Sequence, residues 1–238
     1  MSMSETATTD ARGAPAETRF TEWLKAGAGA NWNRAVEHPF TVAIGDDAMS
    51  PEAYGPYVIQ DRHFIDGFTS VIGFTLAKAP ELKTQRRLAR FIAGEINEDA
   101  DFFDRTFAAL GITMDEVAAT PPSATTRALN DLMLTAARDG DYVDGLVCIL
   151  GAEWIYLTWG LREAKKPRPR RAYLAEWIDL HAVPDFEAFV AWLRDEMDRA
   201  GAAVPAARRR ELADRFNRVC ELEAAFFDFA WDKHHPSR

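Results

Sequence analysis

The sequence predicts an all-α, single-domain protein. Apolar residues recur at three- and four-residue spacing along nearly its whole length, and no stretch keeps a strict two-residue alternation. Residues suited to start and stop helices fall where those periodic stretches begin and end. A third observation narrows the type of protein. Three acids, Asp61, Glu153 and Glu223, interrupt the apolar stripes of three separate predicted helices.

Residues 1–18, MSMSETATTDARGAPAET, contain no apolar run of the kind a signal peptide needs, and they read as a disordered tail before a domain spanning residues 19–235. The first helix is expected over Arg19–Val36. His38-Pro39 then reads as an anchored turn, and Gly45–Ser50 as a loop. Ser50 can cap the next helix, Pro51–Lys78, with Pro51 in its first turn and Glu52 where the helix dipole favours an acid. A helix over Glu81–Leu110 stops at Gly111, and Gly111–Ser123 is expected to be a loop closed by Pro121-Pro122-Ser123. Helices then follow at Ser123–Asp139, Tyr142–Glu163 (capped by Asp141), Arg171–Asp179, Asp185–Ala200 and Pro205–His234. Lys165–Arg170 and Gly201–Val204 are the remaining loops. The apolar run Val143–Trp159 holds Glu153 and is short for a membrane span, so a buried central helix accounts for it better.

Composition removes several classes of function. The chain has 238 residues, 47% of them hydrophobic, with 15 Phe and 7 Trp, enough for one dense core. A formal charge of −9 leaves no electrostatic footprint for nucleic acid or an anionic membrane. Cys148 and Cys220 both fall in apolar helical stretches, as packing residues of a protein from the reducing cytoplasm. There is no glycine-rich phosphate loop, no paired-cysteine motif and no nucleophile elbow. The five histidines, His38, His63, His181, His234 and His235, form no ExxH pair, so no metal is expected; His234 and His235 read as exposed tail. Lys165–Arg171 is the one dense basic run, and its prolines favour a solvated loop over a phosphate pocket.

The acids remain to be explained. Burying a lone carboxylate costs several kcal/mol or forces it to hold its proton. Asp61 sits among Tyr57, Val58, Phe64, Ile65 and Phe68, Glu153 among Ile149, Leu150, Tyr156 and Leu157, and Glu223 among Val219, Cys220, Phe226 and Phe227. Each could be a core ion pair. Together they predict a polar pocket suited to a flat, basic, nitrogen-rich ligand, with Glu153 and Tyr156 on one helix face able to orient water or move a proton. Glu221 points about 160° away from Glu223 and belongs to the surface.

His38-Pro39-Phe40, Tyr57-Val58-Ile59-Gln60-Asp61, the helix Glu153–Gly160 and Glu223-Ala224-Ala225-Phe226-Phe227, in that order, resemble the TenA proteins. These are all-helical enzymes of thiamine metabolism with the haem-oxygenase-like fold, and the similarity spans Phe20 to Trp231. The thiaminase branch carries a nucleophilic cysteine two residues before the Trp of a Cys-x-Trp-x-Tyr segment. Here Ala152-Glu153-Trp154-Ile155-Tyr156 puts Ala152 in that place, so the chain looks like the cysteine-lacking, glutamate-bearing branch. The resemblance implies a cofactor-independent hydrolase that salvages the pyrimidine of thiamine. It would convert 4-amino-5-aminomethyl-2-methylpyrimidine to its hydroxymethyl form, and the branch is also linked to deformylation of the N-formyl derivative. It further implies that Asp61 holds the 4-amino group, Glu223 bonds a ring nitrogen, Tyr156 orients the reacting group, Glu153 activates water, and Phe64 stacks on the ring beside Tyr57. A cytoplasmic homodimer or homotetramer follows from the same resemblance, and Trp177, Phe186, Phe189 and Trp192 either furnish its interface or complete the core. Thr125 and Thr126 stand near where the family has a tyrosine. That leaves open another amine or amide substrate; a non-catalytic binding protein and a PqqC-like or haem-oxygenase-like redox protein are the further alternatives, the last disfavoured by too few core histidines.

Overall fold

The computed structural model describes residues 19–94 and 100–234, and among these there are eleven α-helices and no strand. The disordered tail expected over residues 1–18, and the His235 expectation, lie outside the described residues. In chain order the helices are α1 (Phe20–Val36), α2 (Pro39–Gly45), α3 (Pro51–Lys78), α4 (Leu82–Gly94), α5 (Ala100–Leu110), α6 (Met114–Ala119), α7 (Ala124–Asp139), α8 (Tyr142–Glu163), α9 (Ala172–Leu180), α10 (Pro184–Ala202) and α11 (Ala206–His234).

Helices α3, α7, α8 and α11 each pack against the other three, forming a four-helix bundle at the centre. Around it, α1 lies along α11, α10 covers α8, α4 rests on α3, and α9 bridges α2, α5 and α8. Helix α8 is the axis of the core. From Tyr142 to Gly160 only Val143 and Thr158 are more than marginally exposed. Among the described residues no helix is long and apolar enough to cross a membrane.

The helix ends follow local chemistry. The Ser50 hydroxyl accepts from the Ala53 N–H, the Ser123 hydroxyl accepts from the Thr126 N–H, and Asp141 caps α8 in a reciprocal capping box with Asp144. Two helices were not expected. α2 forms because His38 Nδ1 accepts from the Phe40 N–H at 3.0 Å while Pro39 occupies the first turn. α6 interrupts the expected 111–123 loop because Thr113 and Glu116 make a second capping box. The helix expected over Glu81–Leu110 corresponds to α4 and α5, with residues 95–99 outside the described set.

The basic run after α8 is an interhelix loop, and most of its cations are paired. Lys166 meets Asp46 and the buried Glu163, Arg168 meets Asp179, and Arg170 and Arg171 meet Asp47. The pairs to Asp46 and Asp47 tie it to the α2–α3 connection, where Asp47 has a φ of 53°.

The packing of α9 against α8 depends on one small residue. A Cβ on Gly160 would lie 2.6 Å from the carbonyl oxygen of His181, a backbone atom that cannot swing away. Gly160→Ala is therefore expected to lose about 1–2 kcal/mol despite alanine's better helix propensity, because overpacking outweighs it. Urea unfolding checks this: the midpoint should fall with an unchanged slope, whereas a rise in the midpoint would mean that the α8–α9 contact yields freely.

Candidate active site

A cavity of about 500 Å³ opens where α3, α4, α8, α9 and α10 meet, a size suited to a small ligand. α3 contributes Asp61 and, one turn on, Phe64, while α8 contributes Ala152, Glu153 and Tyr156. Trp177, Leu180 and His181 line it from the end of α9, and Phe186 and Phe189 from the start of α10. Arg87, Arg90 and Phe91 of α4 complete the wall, with Phe91 stacked on Phe189 at 3.7 Å.

The α3 wall is held in register by Gln60. Its Oε1 accepts from the Ser123 N–H at 2.6 Å and from the Thr126 hydroxyl at 2.7 Å, and its Nε2 donates to the Pro121 carbonyl at 3.2 Å. Buried Thr126 thus secures α3 to the start of α7 and does not line the cavity.

Tyr156 is where the electrostatics of the site converge. Its hydroxyl lies 3.1 Å from that of Tyr57, and burial together with the Asp61, Glu223 and Glu153 carboxylates holds its pKa well above the usual phenol value. The charges of three acids on three helices therefore bear on one phenol. Among the described residues no three His, Cys, Asp or Glu side chains gather as a metal site.

Of the six residues singled out from sequence, Asp61, Phe64, Glu153 and Tyr156 reach the cavity wall. Tyr57 and Glu223, each 1% exposed, do not line it. Tyr57 meets Tyr156 through its hydroxyl and is wedged among Phe40, Phe226 and Phe227, while the charge of Glu223 acts on Tyr156 from within the core. Burial pushes the Glu223 carboxyl up to about 8, and among the described residues its Oε1 has no hydrogen-bond partner. Glu221 is half exposed and pairs with Arg218.

Trp177, Phe186 and Phe189, weighed as interface or core, form the aromatic side of the cavity, and Trp192 stacks behind Phe189. Sequence reasoning missed His181 as a wall residue. The available signal was weak: an isolated histidine at a helix end, without periodic neighbours. Both thiols are fully buried away from the cavity, and burial raises Cys148 to about 12 and Cys220 still higher. A reactive thiolate is absent from this wall, where Ala152 stands.

An all-helical bundle with a carboxylate-rich, aromatic cavity at its side defines a helical protein with a buried small-molecule site. The chain belongs to the TENA/THI-4/PQQC family, which matches residues 28–233. An aminopyrimidine aminohydrolase of Halalkalibacterium halodurans is 25% identical over 203 residues, covering 85% of this chain and 91% of that one. An aminopyrimidine aminohydrolase of Helicobacter pylori is 23% identical, covering 90% and 99%. In fold, the chain matches a TenA homologue from P. horikoshii OT3 with a TM-score of 0.81 at 23% identity, covering 90% and 99%. It matches a TenA homologue from Pyrococcus furiosus at 0.81 and 18% identity, covering 89% and 99%.

The buried acid has a measurable consequence. Glu223 titrates near 4.5 when unfolded and near 8 when folded, so between those values the native state holds the extra proton. The contribution of Glu223 to stability therefore falls as pH rises from about 4.5 to about 8, and is level on either side. Glu223→Gln should flatten this decline by a few kcal/mol. Urea midpoints at intervals across that range check it, and parallel curves for the two proteins would show that Glu223 ionises without penalty.

Proposed function

We propose that this chain is a cofactor-independent aminopyrimidine aminohydrolase of the cysteine-lacking, glutamate-bearing TenA branch. The observation that carries the reading is an aromatic cavity walled by Asp61, Glu153 and Tyr156, with the Tyr156 phenol under the electrostatic influence of these two acids and of Glu223 behind it. A 4-aminopyrimidine presents a donor beside an acceptor nitrogen on a flat ring, an edge that pairs with carboxyl groups. The names of the relatives, and Ala152 in the position of the thiol, point the same way.

In this reading the ring stacks against Phe64, with its 4-amino group donating to Asp61. Glu223, protonated near neutral pH, hydrogen-bonds a ring nitrogen inserted past Tyr156 and draws electron density from the ring. Glu153 takes a proton from water, the water oxygen bonds to the exocyclic methylene carbon, and the carbon–nitrogen bond breaks. An aminomethyl group that entered as ammonium leaves as ammonia, and the proton on Glu153 returns to solvent, so atoms and charge balance. General acid–base assistance of this kind contributes about 10²–10⁴-fold. Tyr57 supports the Tyr156 hydroxyl and does not touch the ring. N-formyl substrates fit the same water-activating arrangement, and a cytoplasmic homodimer or homotetramer accompanies the reading.

Incubation with 4-amino-5-aminomethyl-2-methylpyrimidine, its N-formyl derivative and thiamine, with products followed by mass, tests it. The hydroxymethyl product is expected from the first. Glu153→Gln should lower kcat by about 10²-fold or more, and Asp61→Asn should chiefly raise KM. In the wild type kcat/KM should decline above pH about 8 as Glu223 loses its proton, a limb missing from Glu223→Gln. Unchanged activity in Glu153→Gln, or cleavage of thiamine alone, would overturn the assignment.

A further inference from the structure

Helix α4 is basic in an acidic protein. The chain carries a formal charge of −9, yet Leu82–Gly94 holds Lys83, Arg86, Arg87 and Arg90 and no acid. Lys83 pairs with Glu81. Arg87, Arg90, Phe91 and Gly94 follow one another at the spacing of a single helix face, and all four line the cavity. That face is pinned to α10: Phe91 stacks on Phe189 at 3.7 Å, and the Arg87 guanidinium carbon lies 5.7 Å from the centre of the same ring. Among the described residues no ion pair or hydrogen bond reaches the side chain of Arg87 or Arg90, and Asp185, also on the cavity wall, pairs with neither. Two guanidiniums three residues apart on a helix repel each other, and an anion held between them offsets that repulsion.

The cavity also has room that a bare pyrimidine leaves unused. One ring with small substituents, set against Phe64 between Asp61 and Glu153, fills only part of about 500 Å³, a volume in the range that holds drug-sized ligands. An aminomethyl substrate that enters as ammonium has no use for arginines, which repel it. Guanidiniums suit a carboxylate or a phosphate, each bound through paired N–H donors. Asp61, Glu153 and Asp185 share the cavity, so a singly charged carboxylate meets less repulsion there than a phosphate dianion. We propose that Arg87 and Arg90 form a carboxylate-binding subsite beside the pyrimidine, and that its ligand is a pyrimidine whose exocyclic nitrogen carries an acyl chain ending in a carboxylate. This rests on the aminopyrimidine reading. Acylation removes the positive charge from that nitrogen, and the chain runs beyond the formyl position to the α4 wall.

The test uses the full chain with 4-amino-5-aminomethyl-2-methylpyrimidine and its N-succinyl, N-succinamoyl and N-(3-phosphonopropanoyl) derivatives. The succinamoyl compound has the shape of the succinyl one, with a neutral amide in place of the carboxylate. Affinities are read by stopped-flow tryptophan fluorescence before turnover, for wild type, Arg87→Lys and the double variant Arg87→Gln/Arg90→Gln. The wild type should bind the succinyl compound about tenfold or more tighter than the succinamoyl compound. That ratio should collapse in the double variant and survive only in part in Arg87→Lys, which keeps the charge and loses the fork. Equal affinities in the wild type, or a ratio unchanged in the double variant, would overturn the subsite. Tighter binding of the phosphono compound would overturn its assignment to a carboxylate. If the pyrimidines bind and none is hydrolysed, the hydrolase reading falls while the ratio still decides the subsite. Binding of none of them would overturn both.

Discussion

The burial of acids inside an aromatic core is the constraint that the rest of this structure serves. A carboxylate withdrawn from water must find hydrogen bonds, find a cation, or keep its proton. Elsewhere in this protein the buried acids take a cation: Glu163 lies against Arg162 and Lys166, Asp144 against Arg208 and Arg215, and Glu196 against Arg199. Around Tyr156 the outcome is different. No basic side chain contributes to holding Glu223, and its carboxyl keeps a proton to about pH 8. The contrast separates acids that hold helices together from an acid that keeps its proton in the core.

Helix α8 carries both duties. It is the axis of packing, and it supplies Ala152, Glu153 and Tyr156 to the cavity. These duties are compatible because the helix uses glycine where neighbours approach closely. At Gly151 a Cβ would sit 2.9 Å from a methyl of Val219 on α11, and Gly160 receives the backbone at His181. Close approach of α9 then brings Trp177 and His181 against Tyr156, so the aromatic side of the cavity depends on packing about two turns away from Glu153. The cavity has its carboxyl groups on the α3 and α8 sides, at Asp61 and Glu153, and most of its aromatic rings on the α9 and α10 sides.

Much of this was legible before any coordinates. Asp61 and Glu153 stand out because a 3.6-residue repeat assigns each position a direction, and an acid within an apolar stripe must be buried. Glu223 could be separated from Glu221 on the same ground, and the two are respectively buried and half exposed. The α2 and α6 helices escaped notice although His38-Pro39 and Thr113-x-x-Glu116 were present to cap them, because segments of seven and six residues are too short to show a repeat. Trp177, Phe186 and Phe189 read equally well as core or interface, since periodicity reports which face is apolar and not what that face meets.

By itself the sequence determined the helices with full turns of periodic pattern, the presence of buried acids, and the absence of a thiol at position 152. These are local properties, set by backbone spacing and by the cost of leaving apolar surface in water. Tertiary structure alone decided which acids share a centre, that Tyr57 and Glu223 stand behind the wall while His181 stands in it, and that Thr126 is committed to Gln60. Those outcomes depend on how far apart helices pack and at what register. The register is set by contacts such as Gly160 against His181, between residues that no local repeat relates.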